Sequence, residues 1–304
     1  MISFNINNEI GRLKKVVVGS AYDFGGTPKL DECYDPKSIQ HVLEGTFPKE
    51  ESLINEIKCF VAVLEKYNIE VVRPTNIQDL NQIFVRDIAF VVNDKIVISN
   101  VIKDRQKEIQ ALEILFEGVD SKQVIRVPQE VRVEGGDVIL SDDFIFVGYS
   151  RSIDFKKYTV ARTNEHAISF LQTNFPDTVV KSFELNKSDN NPKENALHLD
   201  CCFQPIGQNM AILYADGFKN KEDVDFLIDY YGNDNIISIT KEEMYNMNAN
   251  LFSISDNVIV SEKNFVRLNR LLVDKGFIVE EIKYSEVAKM EGLFRCSTMP
   301  LIRR

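Results

Sequence analysis

An apolar stretch, a short polar turn, a second apolar stretch, a helical stripe and a β-branched strand recur in that order along this chain, and the recurrence limits its fold more than any other feature. The paired stretches cover residues 87–100, 136–149, 199–214 and 251–261. They turn at Asn93-Asp94, Ser141-Asp142-Asp143, Gly207-Gln208-Asn209 and Ser255-Asp256-Asn257, residue types that tolerate left-handed backbone. Helical stripes follow at Ile109, Leu112 and Leu115, at Ile168, Phe170 and Leu171, at Val224 and Leu227, and at Phe265, Leu268, Leu271 and Leu272, the last stopped by Gly276. Short strands are then predicted at 124–127, 179–180, 236–237 and 277–279. The N-terminal part fits less regularly, with strand at 13–19, helix at 53–64 and strand at 69–72, and its missing strand is left to the segment around Cys296.

Five ββαβ-like units, each with an uncovered apolar face, are expected to close into a ring with helices outside and strands about a central axis. No shift in composition marks a linker, so residues 1–304 are read as one α/β domain. Two irregular segments, 22–50 and 185–194, interrupt the plan. In a compact domain such segments commonly form lids or binding loops.

Composition narrows the function classes. The 36 basic against 46 acidic residues give a net charge of −10, which argues against a nucleic-acid footprint and favours a cationic ligand. Apolar runs such as 16–18 and 88–92 fall far short of the roughly 20 residues that span a bilayer. The first residues lack the pattern of a secretory signal. The five cysteines, at 33, 59, 201, 202 and 296, are odd in number and lack metal-type pair spacing. They fit a reducing compartment without structural zinc, so a cytoplasmic protein is expected. Association into a homo-oligomer is compatible with the sequence and not specified by it.

Chemistry-bearing residues gather at the start of each hairpin: Asp87, then Glu134 and Asp137, then His198 and Asp200, then Asn250, with Cys296 at the closing segment. In a ring, equivalent starts converge on the axis. Two apart on a strand, His198 and Asp200 would share one face, with Cys202 on the same side lining the pocket. His198 is the best-placed general acid or base of the three histidines, although a hydrogen-bonded structural histidine is the plain alternative. Cys296 reads either as a buried small hydrophobe or as a nucleophile whose polar neighbours Arg295, Ser297 and Thr298 favour the thiolate. Glu134-Gly135-Gly136-Asp137 is a turn or a close backbone approach between two acids. Asp87 opens an apolar strand, where its carboxylate needs a ligand or a partner such as Arg86 or Arg132.

Phe84-Val85-Arg86-Asp87, Glu134-Gly135-Gly136-Asp137, Arg162-Thr163-Asn164, His198-Leu199-Asp200 and Arg295-Cys296-Ser297-Thr298-Met299-Pro300-Leu301 together resemble, in order, the guanidino-group-modifying enzymes of the pentein superfamily. These comprise arginine deiminases, dimethylarginine dimethylaminohydrolases and amidinotransferases. The resemblance implies a fivefold pseudo-symmetric α/β propeller and a covalent mechanism needing no cofactor or metal. It makes Cys296 the nucleophile, His198 the proton shuttle and Glu134 its orienting group. It places Asp87 and Asp200 on the guanidinium of a small substrate such as arginine, and Arg162 on the substrate carboxylate, across an insertion at 152–158. A hydrolase is expected, because glycine-type amidinotransferases commonly carry aspartate where Glu134 stands. An amidinotransferase passing the amidino group to an amine is the alternative, and a non-catalytic binding ring the third reading.

Overall fold

Val16, Val17 and Val18 are fully buried in a strand, Leu13–Val18, whose two neighbours come from opposite ends of the chain. Thr298–Arg303 lies antiparallel beside it and Glu70–Val72 parallel, with the helix Glu50–Lys66 making the crossover. The same arrangement is repeated by Ala89–Val92, Lys95–Ile98 and Val124–Arg126, and by Val138–Leu140, Phe144–Tyr149 and Val179–Glu184. It recurs in Phe203–Ile206, Met210–Leu213 and Ile236–Ser238, and in Phe252–Ser255, Val258–Glu262 and Ile278–Ile282. Crossover helices Glu108–Phe116, His166–Asn174, Lys221–Tyr231 and Val266–Asp274 join the parallel pairs, since parallel neighbours cannot be linked by a tight turn. This is the fivefold pseudo-symmetric α/β fold, closed by the C-terminal strand completing the first unit's sheet. The computed structural model describes residues 3–304, and none of their helices is long and apolar enough to cross a membrane.

The helix Glu50–Lys66 anchors the segment that carries Cys296. Phe60 packs edge-on against Phe252, Tyr284 and Phe294, with ring centroids 5.8, 5.7 and 5.1 Å away, and Phe294 stacks on Tyr284 at 4.3 Å. Each such ring contributes about 1.5–3 kcal/mol by leaving water. The turn bearing Arg295 and Cys296 is therefore held from its apolar side.

Three local expectations differ from the structure. Asp87 lies on the single helical turn Val85–Ile88, and Gly135–Asp137 and Leu199–Cys201 are 3-10 turns, so the chemistry-bearing residues precede the strands. Alternation over Leu197-His198-Leu199-Asp200 is too short to separate a strand from such a turn. Left-handed backbone occurs at Asn93, Gly207 and Asn209, in two of the four hairpin turns. Segment 22–50 is not wholly irregular. Asp35 caps a helix, Pro36–Leu43, by accepting the Ser38 amide at 2.7 Å, with proline at the position where its missing N–H costs nothing.

Candidate active site

The helical turns aim their side chains inward to one buried cluster. Gly136 makes the approach: a Cβ there would sit 2.7 Å from the His198 ring and 2.9 Å from Asp87 Oδ1. Asp87 Oδ2 accepts from Arg105 at 2.7 Å, whereas its buried Oδ1 meets no donor among the described residues. Arg105 also clamps Glu108 through two bonds of 2.9 and 2.8 Å. The Asp87 partner is thus Arg105, rather than Arg86 or Arg132.

His198 Nε2 lies 2.9 Å from Glu134 Oε2, and its Nδ1 is 3.7 Å from Asp87 Oδ1 without a hydrogen-bond partner. Burial opposes the imidazolium, but Asp87, the Glu134 hydrogen bond and Asp137 outweigh it and raise the ring above its ordinary value. Burial likewise opposes the Glu134 carboxylate, yet Arg162 and His198 bring it down to about 2. Asp87, Glu134 and His198 set ligand atoms within 4.8 Å of one another, a spacing a metal ion could use. Arg105 and Arg162, within 3.6 Å of Glu134, already answer that charge.

The Cys296 thiol receives the Asn250 side-chain N–H at 3.1 Å and stands 3.6 Å from Asp200 Oδ2. Asn250 Oδ1 in turn accepts the amides of Leu293 and Cys296, at 3.2 and 3.1 Å, and fixes the turn. Arg295 does favour the thiolate, but it is outweighed. Burial and the carboxylates of Asp200 and Asp87 push the thiol well up, and the guanidinium of Arg295, which donates to Asp200 at 2.8 Å and to Glu9 at 2.8 Å, lowers it by less.

Glu9 and Arg295 are both buried, and although burial opposes its charge, Arg295 and Arg86 hold the Glu9 carboxyl down at about 2. The contribution of this pair is present above the ordinary carboxylate value of 4.5 and is lost as pH falls toward 2. Replacing Glu9 with Ala leaves Arg295 with Asp200 as its carboxylate partner, removes one charge-assisted hydrogen-bonded pair and is expected to cost about 1.5–3 kcal/mol. Urea denaturation at neutral pH reads the loss; an unmoved midpoint would show that Arg295 finds other compensation.

A cavity of about 190 Å³ opens onto Cys296 and Asp87, with Arg105, Arg162 and the segment around Cys33, Tyr34 and Asp35 in its walls. Arg162 donates to the carbonyls of Thr159 and Tyr34 and to Glu134, at 3.1, 2.8 and 3.5 Å. Asp200 is fully buried beside Cys296, its Oδ2 accepting from Arg295. Cys202 does not line the cavity; its thiol turns to the Leu199 carbonyl at 3.4 Å, because the 3-10 turn removes the strand alternation that would have pointed it inward. Arg105, Glu9 and the structural part of Asn250 were missed in the sequence, for their partners are distant along the chain. Only the Arg105–Glu108 spacing left a trace, as an i,i+3 ion pair.

Comparison with known proteins adds a second line. Residues 43–303 match the family model of eukaryotic N,N-dimethylarginine dimethylhydrolase. The Bacillus subtilis uncharacterized protein YkgA is 31% identical over 247 residues, 80% of this chain and 78% of that protein. Arginine deiminase of Limosilactobacillus reuteri is 27% identical over 266 residues, covering 73% of this chain and 61% of the deiminase. Among solved structures, the N-terminal domain of ArgZ, a cyanobacterial arginine dihydrolase, superposes with a TM-score of 0.76 at 18% identity, over 95% of this chain and 97% of that one. SxtG, an amidinotransferase from Microseira wollei, gives 0.77 at 17% identity, over 99% and 97%.

Proposed function

This chain belongs to the N,N-dimethylarginine dimethylhydrolase family, and from that premise we propose that it is a cysteine-dependent hydrolase of arginine or of a methylated arginine. A guanidino-modifying enzyme of the hydrolase or transferase type is what the relatives share. The observation carrying the finer reading is the buried, unpartnered Asp87 Oδ1 in the wall of the cavity that also holds Cys296. An anionic acceptor without a donor, beside a sulfur, suits a planar cation whose carbon is to be attacked.

Asp87 takes guanidinium N–H groups through Oδ1, and Asp200, whose Oδ1 has only the Cys201 thiol at 3.9 Å among the described residues, takes another. The cation offsets the two carboxylates that hold the Cys296 thiol up, so once substrate is bound the thiol gives its proton to solvent and the thiolate forms. Sulfur attacks the guanidinium carbon, forming the C–S bond. His198, held by Glu134, gives a proton to the departing nitrogen as its C–N bond breaks, releasing ammonia or a methylated amine and leaving a thiouronium-type intermediate. The neutral ring then takes a proton from water as its oxygen adds to the same carbon. Breaking of the C–S bond, with the adduct's hydroxyl proton passing to the departing sulfur, gives the ureido product and returns the thiol. Arg162 holds the substrate carboxylate.

The test incubates the protein with L-arginine and with Nω,Nω-dimethyl-L-arginine, with and without glycine. Citrulline with equimolar ammonia or dimethylamine is expected. Ornithine formed only when glycine is present would instead identify a transferase, and silence with every mixture would favour a binding ring.

A further inference from the structure

Four of the five units place a group that the proposed reaction uses just ahead of a strand: Asp87, Glu134, His198 with Asp200, and Cys296. The remaining unit places Asn250 there, fully buried and two residues before the strand Phe252–Ser255. A side-chain amide can make four hydrogen bonds, and all four places of Asn250 are filled. Oδ1 accepts the amides of Leu293 and Cys296 at 3.2 and 3.1 Å, while Nδ2 donates to the Asp200 carbonyl at 3.4 Å and to the Cys296 sulfur at 3.1 Å. Two backbone donors on the oxygen leave the amide one orientation, so the atom facing sulfur is a donor. The sulfur thus stands between a donor and an acceptor. As a thiol it directs its proton to Asp200 Oδ2, 3.6 Å away, and accepts from Asn250. Loss of that proton ends the first contact and strengthens the second, since a hydrogen bond to an ion is roughly twice as strong as one between neutral partners. Among the described residues Asn250 is the one side chain that donates to this sulfur; Arg295 directs its N–H groups to Asp200, Glu9 and two carbonyls.

We propose that Asn250 is a further catalytic residue, whose Nδ2 donor stabilises the Cys296 thiolate and holds the sulfur in place for attack. This rests on the hydrolase reading above. The proton still leaves to solvent, and Asn250 takes no part in its transfer. An amide neither gains nor loses a proton at working pH, so it favours the thiolate without a titration of its own. It also carries no charge that would compete with the substrate cation for Asp87 and Asp200. The Leu293 amide, which favours the thiolate too, is itself bonded to Asn250 Oδ1. One side chain thereby both shapes the turn and meets the reacting atom.

The test follows labelling of Cys296 by 2-chloroacetamidine, read by peptide mass, and kcat for L-arginine and its dimethylated form, from about pH 6 to about pH 10. In Asn250→Ala the limb that follows the thiolate should move up by roughly one to two pH units, the range for a hydrogen bond to a charged group. Near neutrality both rates then fall about 10- to 100-fold, and the gap closes as pH rises. KM should hold, because Asn250 touches the sulfur and not the substrate. Asn250→Asp keeps an acceptor for both backbone amides, so the turn stands, and sets an oxygen against the sulfur; its limb should move at least as far. Should alanine loosen the turn, Asn250→Asp alone decides. A limb that stays at the wild-type pH, whether the rates are unchanged or lowered equally at every pH, assigns Asn250 to the turn alone and overturns the proposal. A shifted labelling limb in a protein that makes no product from either compound leaves Asn250 with the thiolate and overturns the hydrolase reading instead.

Discussion

Cys296→Ala is expected to lower turnover by at least about 10⁴-fold, since without sulfur no covalent intermediate can form. The loss is one of chemistry rather than of folding. Alanine removes one buried atom from a turn that Asn250 and Phe294 still hold, so the melting temperature should change little. Reactivity supplies an independent reading of the same sulfur. Cys59 is exposed and Cys296 buried with its thiol pushed up, so neutral iodoacetamide at pH 7 should modify Cys59 first. A cationic 2-chloroacetamidine should reverse the order, because it carries to Asp87 the charge that releases the thiolate. Peptide mass mapping separates the two patterns. Labelling of Cys59 ahead of Cys296 by both reagents would remove Cys296 as a substrate-activated nucleophile.

The sequence announced its fold through repetition. Hairpin, helix and strand recur with recognisable turns, and the apolar stripe of each helix matches the sheet it covers. Even the closure of the ring was legible, since the first unit lacked a strand that only the residues after Cys296 could supply. Local geometry was less so. The turns at 85–88, 135–137 and 199–201 carry too few residues for a period to show, and polar side chains were read onto strands that begin just after them. Candidate site residues could be picked out because their types are unusual where they stand: Asp87 before an apolar run, His198 between leucines. Their charges could not. Whether Arg295 favours a thiolate depends on where its guanidinium points, and it points to Glu9, at the far end of the chain. Likewise the acids of the cavity wall come from segments that no spacing rule connects, Asp35 before a capped helix and Glu291 ahead of the cysteine turn.

Asp87→Asn separates the two things a carboxylate does to this cysteine. In the free protein the Asp87 charge opposes ionisation of Cys296, after burial and Asp200, and it supports the imidazolium of His198. Asparagine preserves the shape and an acceptor for Arg105, which keeps its two hydrogen bonds to Glu108, so the fold should stand. Without the charge the Cys296 thiol falls toward its ordinary value, and its rate of alkylation by iodoacetamide rises. Catalysis moves the opposite way. The guanidinium loses a charge-assisted acceptor, worth about 1.5–3 kcal/mol, and the adduct loses alignment, for a joint decrease in kcat/KM of roughly 10³-fold. The His198 ring also loses its Asp87 support, so the limb of the pH profile that follows imidazolium should move to lower pH. A faster cysteine in a slower enzyme is the signature to measure, with alkylation and turnover followed on the same sample. If both rates fell together, Asp87 would be supporting the thiolate before substrate arrives, and the order of events proposed for this site would have to be reversed.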